Sequence, residues 1–232
     1  MPALADLIRR NLDRIEQQIE NACLRVDRNT SSVQLVAVTK YADWPWVEAL
    51  LELGYNHLGE NRPQQLEERS EKTTIPIHWH LIGQLQRNKI RKVLPFVSLI
   101  HSIDSMKLLA AVDRIAQEEQ LQPNVLLQIN VSGEASKQGF APAELREQWA
   151  QIENFSQVNI VGLMTMAPHV DDPELARPAF RKLRDLKDEL NQISSQIHLR
   201  ELSMGMSNDF EIAIEEGATL IRIGSSLFEG LE

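Results

Sequence analysis

Cysteine is almost missing from this chain of 232 residues, with Cys23 the only one. A lone thiol excludes an intramolecular disulfide and a thiolate-built metal site, and both exclusions fit a reducing cytoplasm. No apolar run approaches the length of a membrane span. The first ten residues, Met-Pro-Ala-Leu-Ala-Asp-Leu-Ile-Arg-Arg, carry charge where a signal peptide needs an apolar core. The expectation is a soluble cytoplasmic protein. Basic charge is also in short supply: 24 Lys and Arg face 33 Asp and Glu, a formal net charge of −9. Such a surface repels phosphodiester backbones, so nucleic acid is not expected as a partner. A small anion remains compatible, because a local group of donors overrides the global sign. There is no repeat, low-complexity segment or interdomain linker, which predicts one domain over residues 1–232.

What is present is an ordinary globular composition, 43% hydrophobic and 25% charged. Residues 4–27 place Ile8, Leu12, Ile15 and Ile19 on one stripe of an amphipathic helix. Cys23 is expected to pack in that helix. The run from Val33 to Val38 then reads as a buried strand. Further strand-like runs follow near 56–59, 77–82, 97–101, 124–130, 158–163, 198–202 and 219–223. Helical stretches lie between most of them, one carrying Leu175, Phe180, Leu183, Leu186 and Leu190 on a single face. Eight strands alternating with helices in a chain of this length favour an α/β fold, a single (β/α)8 TIM-type barrel with an extra N-terminal helix.

Ligands of such barrels sit at the carboxyl ends of the strands, and polar, glycine-bearing segments collect there. Thr39-Lys40 follows the first strand, Gly59-Glu-Asn-Arg62 the second, His80-Leu-Ile-Gly83 the third and His101-Ser-Ile-Asp104 the fourth. The fifth runs into Asn130–Gly139, and Met164-Thr-Met166 follows the sixth. The seventh ends in Ser203-Met-Gly205-Met-Ser207 and the eighth in Arg222-Ile-Gly224-Ser225-Ser226. Ser207-Asn208-Asp209 can open a helix whose free N–H groups favour a dianion, and Gly224-Ser225 makes a second small-residue turn. Both turns are equally compatible with simple helix caps. Lys40 either marks where a strand meets solvent or supplies an amine nucleophile activated by desolvation or a nearby cation. His78 and His80 share a strand face, as metal ligands can, with His101 and Asp104 the only further donors in view; the alternative is a packed strand around Trp79. Helix-surface pairs such as Arg181 with Asp185 read as solvated faces.

Taken together, Val-Ala-Val-Thr-Lys40, Gly59-Glu-Asn-Arg62, His80-Leu-Ile-Gly83, Leu202–Asp209 and Arg222–Phe228 resemble the pyridoxal phosphate homeostasis protein family, over essentially the whole chain and in order. The resemblance implies a barrel like the N-terminal domain of alanine racemase, without that enzyme's second domain, and pyridoxal 5′-phosphate as cofactor. It implies that Lys40 forms a Schiff base and that Asn61 lies beside the ring. Ser203, Ser207, Gly224 and Ser225 would form the phosphate cradle, Gly205 would also belong to the cofactor-binding set, Arg222 would face the pyridine nitrogen, and Met164 and His80 would line the surroundings. An arginine there only donates, so the ring stays unprotonated and is a weak electron sink. The second acid–base of alanine racemase comes from a domain this chain lacks; only Tyr41 and Tyr55 offer a phenol. The resemblance therefore implies a non-catalytic carrier in vitamin B6 homeostasis and amino-acid and keto-acid balance, with no catalytic residue and no metal. Apo-enzymes or a regulatory protein are the partners it suggests, and nothing demands more than a monomer. The alternative is a small amino-acid racemase acting through Lys40.

Overall fold

The computed structural model describes residues 4–133, 138–168 and 171–231. Eight parallel strands close into a barrel in sequence order: β1 Gln34–Val38, β2 His57–Glu60, β3 His78–Leu81, β4 Val97–Ile103, β5 Asn124–Gln128, β6 Asn159–Met164, β7 Glu201–Ser203 and β8 Leu220–Ile223. Pairing of β1 with β8, with Val36 opposite Arg222, closes the ring. Each predicted run is a strand, though the seventh begins later than expected, at Glu201. The part of the predicted fifth loop at 134–137 lies outside the described residues.

The outer ring holds α1 Leu4–Arg25, α2 Trp44–Glu52, α3 Pro63–Ser70, α4 Ile90–Val93, α5 Met106–Glu119, α6 Pro142–Ile152, α7 Arg177–Ile193 and α8 Phe210–Glu215. Proline opens α2, α3, α6 and α7 in the first turn, where its fixed φ suits a helix and its missing N–H costs nothing. Ser105 caps α5 by accepting from Leu108 N–H. The stripe Ile8, Leu12, Ile15 and Ile19 is buried, as is Cys23. Helix α1 packs against α2 and α8. It thereby fills the place of a helix after β8, where the described residues 224–231 only turn. Asn11 ties that turn down by donating to the Leu227 and Glu229 carbonyls at 3.0 and 2.9 Å.

Strand alternation splits the core in two. Outward residues join the helices in one large apolar cluster, while Val36, Leu99, Leu126, Val161, Met164 and Leu220 form a separate cluster inside the barrel. Two surface expectations change. Leu175 is exposed, because it lies in the 3-10 turn Pro173–Ala176 before α7, whereas Phe180, Leu183, Leu186 and Leu190 are buried. Arg181 is not on a merely solvated face: with Arg177 and Arg184 it converges on Glu216, which is buried beneath α7. Burial pushes the Glu216 carboxyl up, but the hydrogen bonds of Arg181 and Arg177 outweigh it and hold the group below its ordinary range.

Candidate functional site

A cavity of about 640 Å³ opens at the carboxyl ends of the strands, within the range of small-molecule sites. Lys40, Asn61, Met164, Ser207, Arg222, Gly224 and Ser225 all line it. Val38 and Ile82 form apolar walls, Trp46 and Phe228 pack at 5.6 Å between ring centroids, and Met166 and Met206 are partly exposed on its surface.

Lys40 follows β1 on a loop braced from behind by α3. Arg69 donates to the Thr39 and Ala42 carbonyls at 2.9 and 2.5 Å, and Gln65 Nε2 donates to the Lys40 carbonyl at 3.1 Å. The remaining reach of Arg69 goes to Glu60 Oε1 at 2.6 Å, which also accepts from Thr39 Oγ1 at 2.5 Å. Glu60 points out of the barrel because Gly59 and Asn61 take the inward positions on either side. Burial lifts its carboxyl above the ordinary range even with Thr39 and Arg69 opposing. The Lys40 amine lies 5.0 Å above the Tyr41 ring centroid. Asn61 is seated against Gly83, where any Cβ would collide with the Asn61 backbone and amide oxygens, and Ser102 Oγ donates to the Gly83 carbonyl at 2.6 Å. That contact explains the glycine ending the His80-Leu-Ile-Gly83 segment.

On the strand next to β1, Arg222 rises from β8 with its side chain almost fully buried. Its guanidinium donates to Ser203 Oγ at 2.5 Å and to the Thr165 carbonyl at 3.0 Å. Burial lowers its pKa to about 10, with Asp209 opposing, so it remains a cation and a pure donor at neutral pH. Beside it, Ser207, Gly224 and Ser225 form a small-residue lobe in which Ser226 N–H lies 3.4 Å from Ser207 Oγ. A Cβ at Gly224 would press on Val38, 3.3 Å from its Cβ.

Three residues assigned to the site from sequence are not on the cavity wall. Ser203 is fully buried beneath Arg222. Gly205 adopts φ +93°, and its carbonyl accepts from Arg222 N–H at 3.0 Å; a Cβ there would strike Ala213 and Phe210. It shapes the β7 end rather than facing the cavity. His80 lies inside the barrel, bonded to His57 at 3.0 Å and to His101 at 2.8 Å. The histidine nitrogens pair with one another instead of converging on one point, and Asp104 accepts from Ser105. Among the described residues no group of three or more His, Cys, Asp or Glu could hold a metal ion. Also among the described residues, no helix is long and apolar enough to cross a membrane. Arg69, Glu60, Gln65 and Thr165 were not among the expected site residues, and His101 was weighed only as a metal ligand.

Residues 10–231 match the family described as alanine racemase, N-terminal domain. The chain belongs to that family. Within it, the chain is 39% identical over 218 residues to a pyridoxal phosphate homeostasis protein of Aquifex aeolicus, covering 94% of this chain and 95% of the relative. A protein of the same name from Synechocystis sp. is 40% identical over 199 residues, covering 85% and 91%. Among solved structures, PipY of Synechococcus elongatus with PLP bound shares 38% identity and a TM-score of 0.81, covering 92% of this chain and 99% of PipY. An alanine racemase of Clostridium difficile superposes with a TM-score of 0.73 at 15% identity, covering 96% of this chain but 55% of the racemase, a likeness of fold.

Proposed function

We propose that the barrel is one pyridoxal 5′-phosphate-binding domain that stores and delivers this cofactor in the cytoplasm, without robust turnover. The observation that carries the reading is the convergence, in one cavity, of an amine on Lys40, a donor-only cation on Arg222 and a small-residue lobe at Ser207, Gly224 and Ser225. Similarity to relatives named for pyridoxal phosphate homeostasis supports it. Bound pyridoxal phosphate supplies an aldehyde that condenses with an amine, and a conjugated pyridine ring.

The residues fit that group. Lys40 presents the amine from a loop fixed by Arg69 and Gln65, so attachment needs little reorganisation of backbone. Ser207, Gly224 and Ser225 would take the phosphate, and Asn61 and Met164 would flank the ring. Arg222 would face the ring nitrogen and could only donate to it, which keeps that nitrogen unprotonated and the ring a poor acceptor of a substrate's electron pair. Tyr55 cannot serve as a second acid–base, since its hydroxyl is bound to Glu16 on α1 and burial, with that bond, raises its pKa. An open cavity with one amine suits reversible loading, with apo-enzymes or a regulatory protein as receivers.

Tyr41, on the cavity wall beneath the Lys40 amine, favours a second reading, amino-acid racemisation. Incubating the loaded protein with amino acids in deuterium oxide separates the two: the carrier reading expects no α-hydrogen exchange beyond free cofactor, while exchange abolished by Tyr41→Phe would establish the racemase. For the binding itself, titration of the protein with pyridoxal phosphate should yield a visible chromophore that Lys40→Ala fails to form. A wild-type protein that stays colourless would remove the reading.

A further inference from the structure

A polar chain runs through the barrel interior that the cavity alone does not account for. Arg222 Nη1 reaches Ser203 Oγ at 2.5 Å, and Ser203 Oγ lies 2.8 Å from His101 Nδ1. His101 Nε2 lies 2.8 Å from His80 Nδ1, and His80 Nε2 lies 3.0 Å from His57 Nδ1. These side chains come from β8, β7, β4, β3 and β2 in turn. They lead from the cavity floor to the opposite mouth, where His57, His78 and His80 line a hollow of about 290 Å³ with Arg200 and Asn124.

The direction of donation along this chain is determined by its first member. Arginine can only donate. Ser203 Oγ accepts from it, and the serine's own proton has His101 Nδ1 as its acceptor. His101 then carries its proton on Nε2 and donates to His80 Nδ1. By the same step His80 carries its proton on Nε2 and donates to His57 Nδ1, leaving the His57 proton on Nε2 toward the far mouth. The reverse order would strand the Ser203 hydroxyl proton in a buried site. It would also aim the positive ends of three N–H dipoles at the Arg222 cation, and both are costly at low dielectric. The rings are kept neutral chiefly by burial, which takes His80 down to about 3 and His101 well below its ordinary value, with His57 lowered in the same direction.

We propose that His101, acting through Ser203, is a positioning residue for Arg222, and that the one-way chain His101–His80–His57 holds the guanidinium in place as an obligate donor. Because every member donates away from Arg222, the barrel interior passes no proton to a ring nitrogen that faces it. The consequence for pyridoxal phosphate rests on the function proposed above; the orientation of the chain does not.

Two measurements test this. Imidazole nitrogen spectra of the isotopically labelled protein, with and without pyridoxal phosphate, should show His80 and His101 neutral and protonated on Nε2 from about pH 5 to about pH 8. A proton on Nδ1 of either ring, or a charged ring in that range, would overturn the proposal. Next, His101→Leu should weaken pyridoxal phosphate retention about tenfold, the scale of one hydrogen bond to a charged group. It should also make the bound chromophore sensitive to pH. His101→Asn, which keeps an acceptor near Ser203, should restore most of the affinity and the pH-insensitive spectrum. Equal affinity and equal spectra in all three proteins would overturn the positioning role. If His101→Leu fails to fold, the wild-type imidazole spectrum still decides the chain. A wild-type protein that binds no pyridoxal phosphate would instead sink the proposed function, and the spectrum would again decide the chain separately.

Discussion

Arg69 and Arg222 are both buried arginines, at 8% and 5% exposure, and they are satisfied in opposite ways. Arg69 has a carboxylate, Glu60, and two loop carbonyls within hydrogen-bond reach. Arg222 has a hydroxyl and one carbonyl, and among the described residues no carboxylate hydrogen-bonds to it. Both guanidiniums have left water. The first is neutralised within the protein and holds the Lys40 loop. The second keeps its charge beside a cavity, favoured by the charge of Asp209, an arrangement that leaves guanidinium hydrogen-bonding capacity for an electron-rich ligand. One arginine braces a loop, and the other carries its charge at the wall of a cavity.

Arg69→Met leaves Glu60 buried without its cation and should cost about 3 kcal/mol, read as a lowered midpoint in denaturant melts. A neutral effect would mean that Glu60 is not ionised in the folded protein. Arg222→Met should do the reverse. Removing a buried cation that has no hydrogen-bonded carboxylate among the described residues, and only the attraction of Asp209 to lose, should leave stability within about 1 kcal/mol of wild type or raise it, while pyridoxal phosphate binding weakens by about 2 kcal/mol, measured by equilibrium titration. Unchanged binding would remove Arg222 from the site.

A smaller effect appears in pH dependence. His80 and His101 refuse, when folded, the proton that the unfolded chain takes up near 6.5. Unfolding below that pH therefore binds protons, and stability falls as the solution is acidified. Each ring contributes up to about 1.4 kcal/mol per pH unit between about pH 6.5 and pH 5. His80→Leu should flatten that slope, and an unchanged slope would contradict the neutral, buried state of the ring.

The fold was readable because short strand-like runs, most of them apolar, alternate with helices, and eight such runs leave few alternatives to closure. That α1 replaces a helix after β8 was not readable: its stripe requires a partner surface but does not say which one. As lining of the cavity, residues just beyond a strand end were legible, as with Lys40, Asn61, Ser207, Gly224 and Ser225. Ser203 and His80 were placed at the mouth but lie within β7 and β3, one layer lower. Arg222 also lies within its strand, and its long side chain bridges the layer of roughly 6.6 Å that serine cannot. The Arg69–Glu60 brace joins a helix to a strand across nine positions of sequence, and no spacing rule links those two. The one available signal was the alternation that turns Glu60 outward, where a buried carboxylate requires a cation.

The most direct test of the account is borohydride reduction of the protein loaded with pyridoxal phosphate, followed by mass analysis of its peptides. The label should be fixed on Lys40 and on no other lysine in appreciable yield, and loading should fall sharply in Lys40→Ala. A label spread over surface lysines, or one retained in Lys40→Ala, would contradict the assignment of this cavity as the cofactor site.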